Sequence, residues 1–176
     1  MKKRTAAVKY TALVGIMAAI LECAKLALAA LPNIEAVSLL IALFSYVFGW
    51  TGLLASIVFV CIEPLVWGMG TWFVSYLIYW PALSLVFLFL GKARMKNRYL
   101  HSLVITLLTF LFGILTSFVD VGLFSGSFEN IFYRFGIYYL RGVGFYIVHI
   151  VSNALVFLLV FSPLSSFLLK IRKRYF

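Results

Sequence analysis

His149 and Asn153 stand four residues apart in an otherwise apolar run, and on a helix that spacing puts both on one face. Tyr146 and Gly142 extend the same face. Such a polar patch either lines a cavity or packs with its hydrogen bonds satisfied internally. Glu22 and Lys25, three apart, can pair on one face of a helix, or one of them can line a ligand site. Glu63 precedes Pro64 and is either a pocket carboxylate or a group that reaches the headgroups. In runs this apolar, an ionisable side chain costs several kcal/mol, so it normally faces a bundle interior or a cavity. Arg141 opens the His149 helix and adds a positive charge to the same region.

Aromatic residues form a second constellation. Trp72, Tyr76, Tyr79, Trp80 and Leu83 share one helical face, and Trp67 lies just before it. An interfacial belt explains Trp67 and Trp72. It explains Trp80 less well, because Trp80 lies about 12 Å deeper at 1.5 Å per residue. Deep aromatics with few charges suit a pocket for a flat organic ligand. Asn33 and Glu35 sit in the loop after the first helix, where either can cap the next helix or contact a ligand. Cys23 and Cys61 have no metal-ligand spacing around them and read as small core hydrophobes. No Walker motif, His-Glu-x-x-His, G-x-S-x-G or paired intramembrane acid motif occurs. No cofactor or metal site is expected, and the chain is not expected to be an enzyme.

These residues must be positioned by membrane helices. Of 176 residues 65% are hydrophobic and 11% charged, against roughly 25% charged in a soluble domain. The mean hydropathy is +1.11. A chain of this size cannot hide so much apolar surface in water, which excludes a soluble enzyme, a disordered chain and a disulfide scaffold. The expected fold is an all-α integral membrane protein, one domain over 1–176, with six transmembrane helices at about 7–31, 34–48, 53–66, 72–90, 101–123 and 142–169. Pro32 ends the first, the Gly49–Gly52 stretch separates the second from the third, and Pro81 is placed to kink the fourth. The stretch from Phe124 to Arg141, mixed in polarity, is expected to be an interfacial loop or short helix. The basic start followed by an apolar run is expected to be a retained first helix rather than a cleaved signal.

The formal net charge of +10 resolves into clusters. Lys2, Lys3, Arg4 and Lys9, then Lys92, Arg94, Lys96 and Arg98, then Lys170, Arg172, Lys173 and Arg174 account for 12 of the 15 basic residues. Orientation explains them better than nucleic-acid binding: the positive-inside rule puts all three clusters, and both termini, on the cytoplasmic side of a plasma membrane. The five acids, Glu22, Glu35, Glu63, Asp120 and Glu129, then fall in the outer half. No ion-coupling acid chain and no inverted repeat marks a route across. An outward binding face without an exit path implies a capture subunit that depends on partners.

At these residues the sequence resembles the substrate-capturing S components of energy-coupling-factor (ECF) vitamin transporters. Gly15-Ile16-Met17-Ala18-Ala19 resembles the family's small-x-x-x-small signature, with Gly where Ala is usual. Leu31-Pro32-Asn33-Ile34-Glu35 is similar to the first outer loop. The run from Gly142 through Phe145 and His149 to Asn153 is similar to the pattern G-x-x-F-x-x-x-H-x-x-x-N that opens the last helix. The resemblance implies capture of a vitamin or precursor from outside, under the outer loops. It implies docking on a membrane T component through Gly15 and Ala19, with Thr11 extending the stripe, although packing inside the same bundle is the plainer use of such residues. Two cytoplasmic ATPases would then drive reorientation and release.

Residue chemistry points to a ring-bearing ligand with polar or anionic groups. Trp67, Trp72, Tyr76 and Trp80 would stack on it, and Asn33, Arg141, His149 and Asn153 would hydrogen-bond it. A cobalamin or its precursor, a folate, a pantothenate-like acid and a queuine-like base all fit that description. Two other classes are a stand-alone membrane enzyme, built on a pair such as Glu63 with His149, and an assembly subunit without a small ligand.

Overall fold

The protein, seen in a computed structural model, is described over residues 2–125 and 129–175, with side chains over 7–123 and 129–175. The side chains of Lys2, Lys3 and Arg4 and positions 126–128 of the expected outer loop lie outside the described residues. The described chain is all helix and turn: α1 (Lys2–Leu28), α2 (Val37–Phe48), α3 (Trp50–Trp67), α4 (Trp72–Lys92), α5 (Arg98–Ser125), α6 (Ile131–Val156), a π-helical turn (Phe157–Phe161) and α7 (Ser162–Tyr175). Five helical stretches are long and apolar enough to cross a membrane, the last running unbroken from Ile131 to Tyr175. The chain is a multi-pass membrane protein, consistent with the plasma membrane.

Among the described helical stretches, taking α6 to α7 as one, only α2, with 12 residues, is too short to cross by itself. It is also the centre of the molecule. Ten of its residues are buried, from Val37 to Val47, which explains a helix that is apolar all round. It lies against α1, α3, α4, α6 and α7. Ser45 and Ser84 share a hydrogen bond between α2 and α4, and a side chain at Gly52 or Gly91 would overlap the backbone of Phe44 or Tyr46. Small residues thus let the α2 backbone be approached from two sides, as in tightly packed membrane helices. Around it, Phe59, Leu83, Phe87, Phe157 and Phe161 fill the core.

The ends of the bundle differ in charge. Tyr46 at the end of α2 donates to Met95 O at 2.6 Å, and Arg172 of α7 donates to Val47 O at 2.5 Å. Lys9 meets Tyr175, and Lys92 meets Arg172 around a shared hollow. The described members of all three basic clusters therefore gather at one end. At the other end lie Lys25 with Glu63, Glu35 with His149, and Asp120, which accepts from Thr71 and Tyr138.

Several boundaries depart from expectation. α1 begins at Lys2 and ends at Leu28, three residues before the expected Leu31, because the residue before Pro32 disfavours helical angles. Only Gly49 (φ 61°) turns the chain between α2 and α3, and Trp50 to Gly52 are already helical. The expected interfacial segment before Arg141 is helical from Ile131 and continuous with the last helix. An aromatic ladder holds that extension: Phe118 to Phe135 at 5.1 Å, Phe135 to Tyr139 at 5.6 Å and Tyr139 to Tyr146 at 5.1 Å between ring centroids. Tertiary packing, not apolar run length, extends the helix. Cys23 and Cys61, expected in the core, are free and exposed on the outside of the bundle.

Gly52→Ala places a methyl into the Phe44 backbone and should lower stability by about 1–3 kcal/mol. Gly15→Ala, inside α1 where an added Cβ meets nothing, should raise thermal stability in detergent slightly, by about 0.5–1 kcal/mol. Equal melting temperatures for the two variants would contradict the close approach of α2 and α3.

Candidate functional site

Between α1 and α2 the chain runs through eight non-helical residues, 29–36, before α2 starts at Val37. Backbone outside the helical ladder must find other partners for its N–H and C=O groups, and here it also lines a cavity. A cavity of about 190 Å³ lies beneath the loop, walled by Asn33, Ile34 and Glu35, by Lys25 and Leu28 of α1, by Tyr76 and Trp80 of α4, by Phe112 of α5 and by His149 of α6. Asn33 adopts a left-handed backbone (φ 57°), a conformation that Asn tolerates better than most residues. Its carbonyl accepts a hydrogen bond from Ser152 at 3.4 Å, which ties the loop to α6.

Glu35 anchors the other end of the loop. Its carboxylate accepts the Ser38 backbone N–H at 2.7 Å, and His149 Nε2 lies 3.3 Å from its other oxygen. Of Asn33 and Glu35, both of which the sequence offered as capping residues, it is Glu35 whose side chain takes an N–H of the first turn of α2, and a negative charge at a helix N-terminus is favoured by the helix dipole. Burial pushes the Glu35 carboxyl up from its ordinary 4.5, but the His149 and Ser38 contacts outweigh it and hold the group below that value.

The cavity floor is aromatic. Trp72, Tyr76 and Trp80 follow one another along α4 with centroids 5.1 and 5.4 Å apart. Phe112 joins them from α5, 4.4 Å from Tyr79 and 5.8 Å from His149. Such edge-on contacts are a preferred ring geometry, and they leave an apolar, aromatic surface beside Glu35 and His149.

Lys25 closes the side wall. Its ammonium bonds the fully buried Glu63 carboxylate and lies 5.2, 5.5 and 4.9 Å from the rings of Trp67, Trp72 and Tyr76. This is an aromatic cage around a cation. The expected Glu22–Lys25 pair is replaced by Lys25–Glu63, because the lysine reaches across to α3. Glu22 is close enough to Glu63 to interact with it electrostatically. Both Glu22 oxygens and one Glu63 oxygen are buried without a partner among the described residues, so one ammonium faces the formal charge of two carboxylates.

Of the expected site residues, Asn33, Glu35, Tyr76, Trp80 and His149 come together on the cavity. Trp67, Trp72 and Glu63 form the shell around Lys25 instead. Glu63 does not reach headgroups, and it does not meet His149, whose partner is Glu35. Asn153 is buried one turn below the cavity and donates to Thr109 at 3.1 Å. Tyr146 shares a hydrogen bond with Ser117 at 2.7 Å. Arg141 is exposed on α6, away from the cavity. Thr11, Gly15 and Ala19 are exposed on α1, facing away from the bundle, so the stripe does not serve internal packing. Phe112 escaped sequence reasoning, being one Phe among many on an apolar helix. Lys25 is the one of the Glu22/Lys25 pair that lines the cavity, an option the sequence had offered for either residue.

No protein-family model matches the chain, and no curated protein sequence or solved structure matches it.

Lys25→Met leaves buried carboxylate without its cation and should cost about 3 kcal/mol, with much of that recovered in Lys25→Met/Glu63→Gln. Additive losses in thermal unfolding would show that the pair is not coupled. For Glu35, whose folded-state carboxyl is lowered, the stabilisation is fully present above pH 4.5 and is lost as pH falls through the lowered value. His149→Gln removes the largest lowering contact, so the acid limb of stability against pH should move upward. An unmoved limb would contradict the Glu35–His149 contact.

Proposed function

We propose that this chain is the substrate-capturing S component of an ECF-type vitamin importer. It binds a compact vitamin or precursor at the acidic end and delivers it inward with a T component and two ATPase subunits. The observation that carries the reading is the cavity under the 29–36 loop, where five of the residues expected at a ligand site converge on an aromatic floor.

Charge segregation supports the orientation. The positive-inside rule puts the basic end in the cytoplasm, so both chain ends lie inside and the cavity opens outward. In this reading α2 and the loop together make the second of six passes. The outward-facing Thr11, Gly15 and Ala19 are a free contact face for the T component, smooth enough for a helix to approach closely.

The cavity is below the roughly 300–1,000 Å³ of drug-sized ligand sites. That favours a one- or two-ring acid or base over a cobalamin. Arg141 has no part in the ligand's recognition. Lys25, Glu35, His149 and Asn33 supply the polar contacts, and Tyr76, Trp80 and Phe112 the stacking surface.

The isolated protein should hold its ligand without partners. Denaturing the protein purified in mild detergent should release one small molecule, identified by mass spectrometry. Titration of that compound should change the fluorescence of Trp80, with binding at least about tenfold weaker in His149→Ala and Tyr76→Ala, each removing more than about 1.4 kcal/mol. A well-folded protein that releases nothing, and responds to no vitamin offered, would sink the reading in favour of a ligand-free assembly subunit.

A further inference from the structure

A second cavity, of about 280 Å³, lies at the basic end. It forms where the turn over 93–97, the start of α5 and the inner face of α7 come together. Lys96, Lys170 and Lys173 stand around it, with Ser162 and His101 on its wall. Lysines at the end of a membrane helix ordinarily spread into water. Here side chains from two separate segments converge on one hollow, and the geometry has a local cause. Pro163 has no N–H to give to the helix, and its ring crowds the carbonyl four residues back. The chain accommodates it with the single π turn Phe157–Phe161 just before Ser162. Such turns recur at functional sites, and this one sets the phase in which Ser162, Lys170 and Lys173 face the 93–97 turn.

The wall has unused polar capacity. Ser162 Oγ and His101 Nδ1 are buried and have no partner among the described residues. His101 is 1% exposed, and its Nε2 lies 3.1 Å from Met95 O. A carbonyl only accepts, so Nε2 carries the hydrogen and Nδ1 of the neutral ring is left as an acceptor. Ser162 can donate. The chain's acids do not balance the lysines. Of the chain's five acids, Glu22, Glu35, Glu63 and Asp120 sit at the opposite end, in the contacts described above, and Glu129 stands just before α6 at that same end. Three ammonium groups, a hydroxyl donor and a ring-nitrogen acceptor suit an anion that has several acceptor oxygens and one hydroxyl.

We propose that this cavity binds a phosphate group that carries or adjoins a hydroxyl. The three ammonium groups and the Ser162 hydroxyl hold the phosphate oxygens, and the hydroxyl donates to His101 Nδ1. Hydrogenphosphate and the glycerol phosphate headgroup of an anionic lipid both have that chemistry. Basic pockets between membrane helices take such headgroups from the adjacent leaflet. The site is separate from the outer cavity and does not depend on the transport reading.

The full chain in neutral maltoside detergent tests it in two arms. One arm titrates phosphatidylglycerol against phosphatidylcholine by native mass spectrometry. The other titrates inorganic phosphate and follows the melting temperature. Selective binding of phosphatidylglycerol identifies a lipid as the source, and a response to inorganic phosphate alone identifies a soluble one. Either supports the site if Lys96→Gln/Lys170→Gln/Lys173→Gln weakens binding by roughly 100-fold. Ser162→Ala, which leaves every charge in place, should weaken it about fivefold. Lys9→Gln/Lys92→Gln/Arg98→Gln removes the same charge from the same end outside the cavity and should weaken it by less than about tenfold. Equal losses in the two triple variants, no effect of Ser162→Ala, or no binding in either arm would overturn the proposal.

Discussion

The carboxylate of Glu35 holds together what the rest of the molecule depends on. A membrane protein must satisfy its backbone polar groups internally, yet this one leaves eight residues non-helical between α1 and α2. Glu35 makes that tolerable. One of its oxygens takes a free N–H of α2, and the other faces His149 on α6. Those two bonds fix where α2 begins, and α2 is the helix around which the others pack. They also fix how deep the loop sits, and hence the height of the cavity beneath it. Removing this one group would release a helix start, a loop and a wall together.

The same economy of polar groups governs the Lys25 cluster. A lysine in a membrane helix must either reach water or find compensation. Lys25 finds it in a buried carboxylate and three rings. Trp67 and Trp72, which by position belong to an interfacial belt, thereby also flank a buried ion pair. Belt and pocket are not alternatives along α4. The rings nearer the start of α4 shield a cation, and Tyr76 and Trp80, further along, line the floor of the cavity.

Much of this was legible in the chain. Apolar run length gave away every long helix, because the bilayer imposes a minimum span. Charge clusters identified the two ends, because loops at one end collect lysine and arginine. The pairing of His149 with Asn153 correctly marked one face of α6, but only His149 reaches the cavity, since one turn of helix carries Asn153 down to Thr109. Periodicity locates a face and says little about depth. The partner of Lys25 was hidden for a different reason. Glu22 is near it in sequence, whereas Glu63 becomes near only when α1 packs on α3. The extension of α6 from Ile131 was hidden too, because aromatic stacking against α5 holds it and such contacts leave no mark in local polarity.

The π turn before Pro163 has a consequence for how such a chain can vary. Each residue of an α-helix turns the chain by about 100°, so one surplus residue rotates everything after it by more than a quarter circle. The lysines and serines of α7 face the 93–97 turn only because Phe157–Phe161 is wound wide. At this point chain length sets direction. A substitution here changes one side chain, whereas a single deletion would turn the whole C-terminal helix of the protein to address a different neighbour. Spacing between Asn153 and Ser162 is therefore under tighter constraint than the identity of most residues within it.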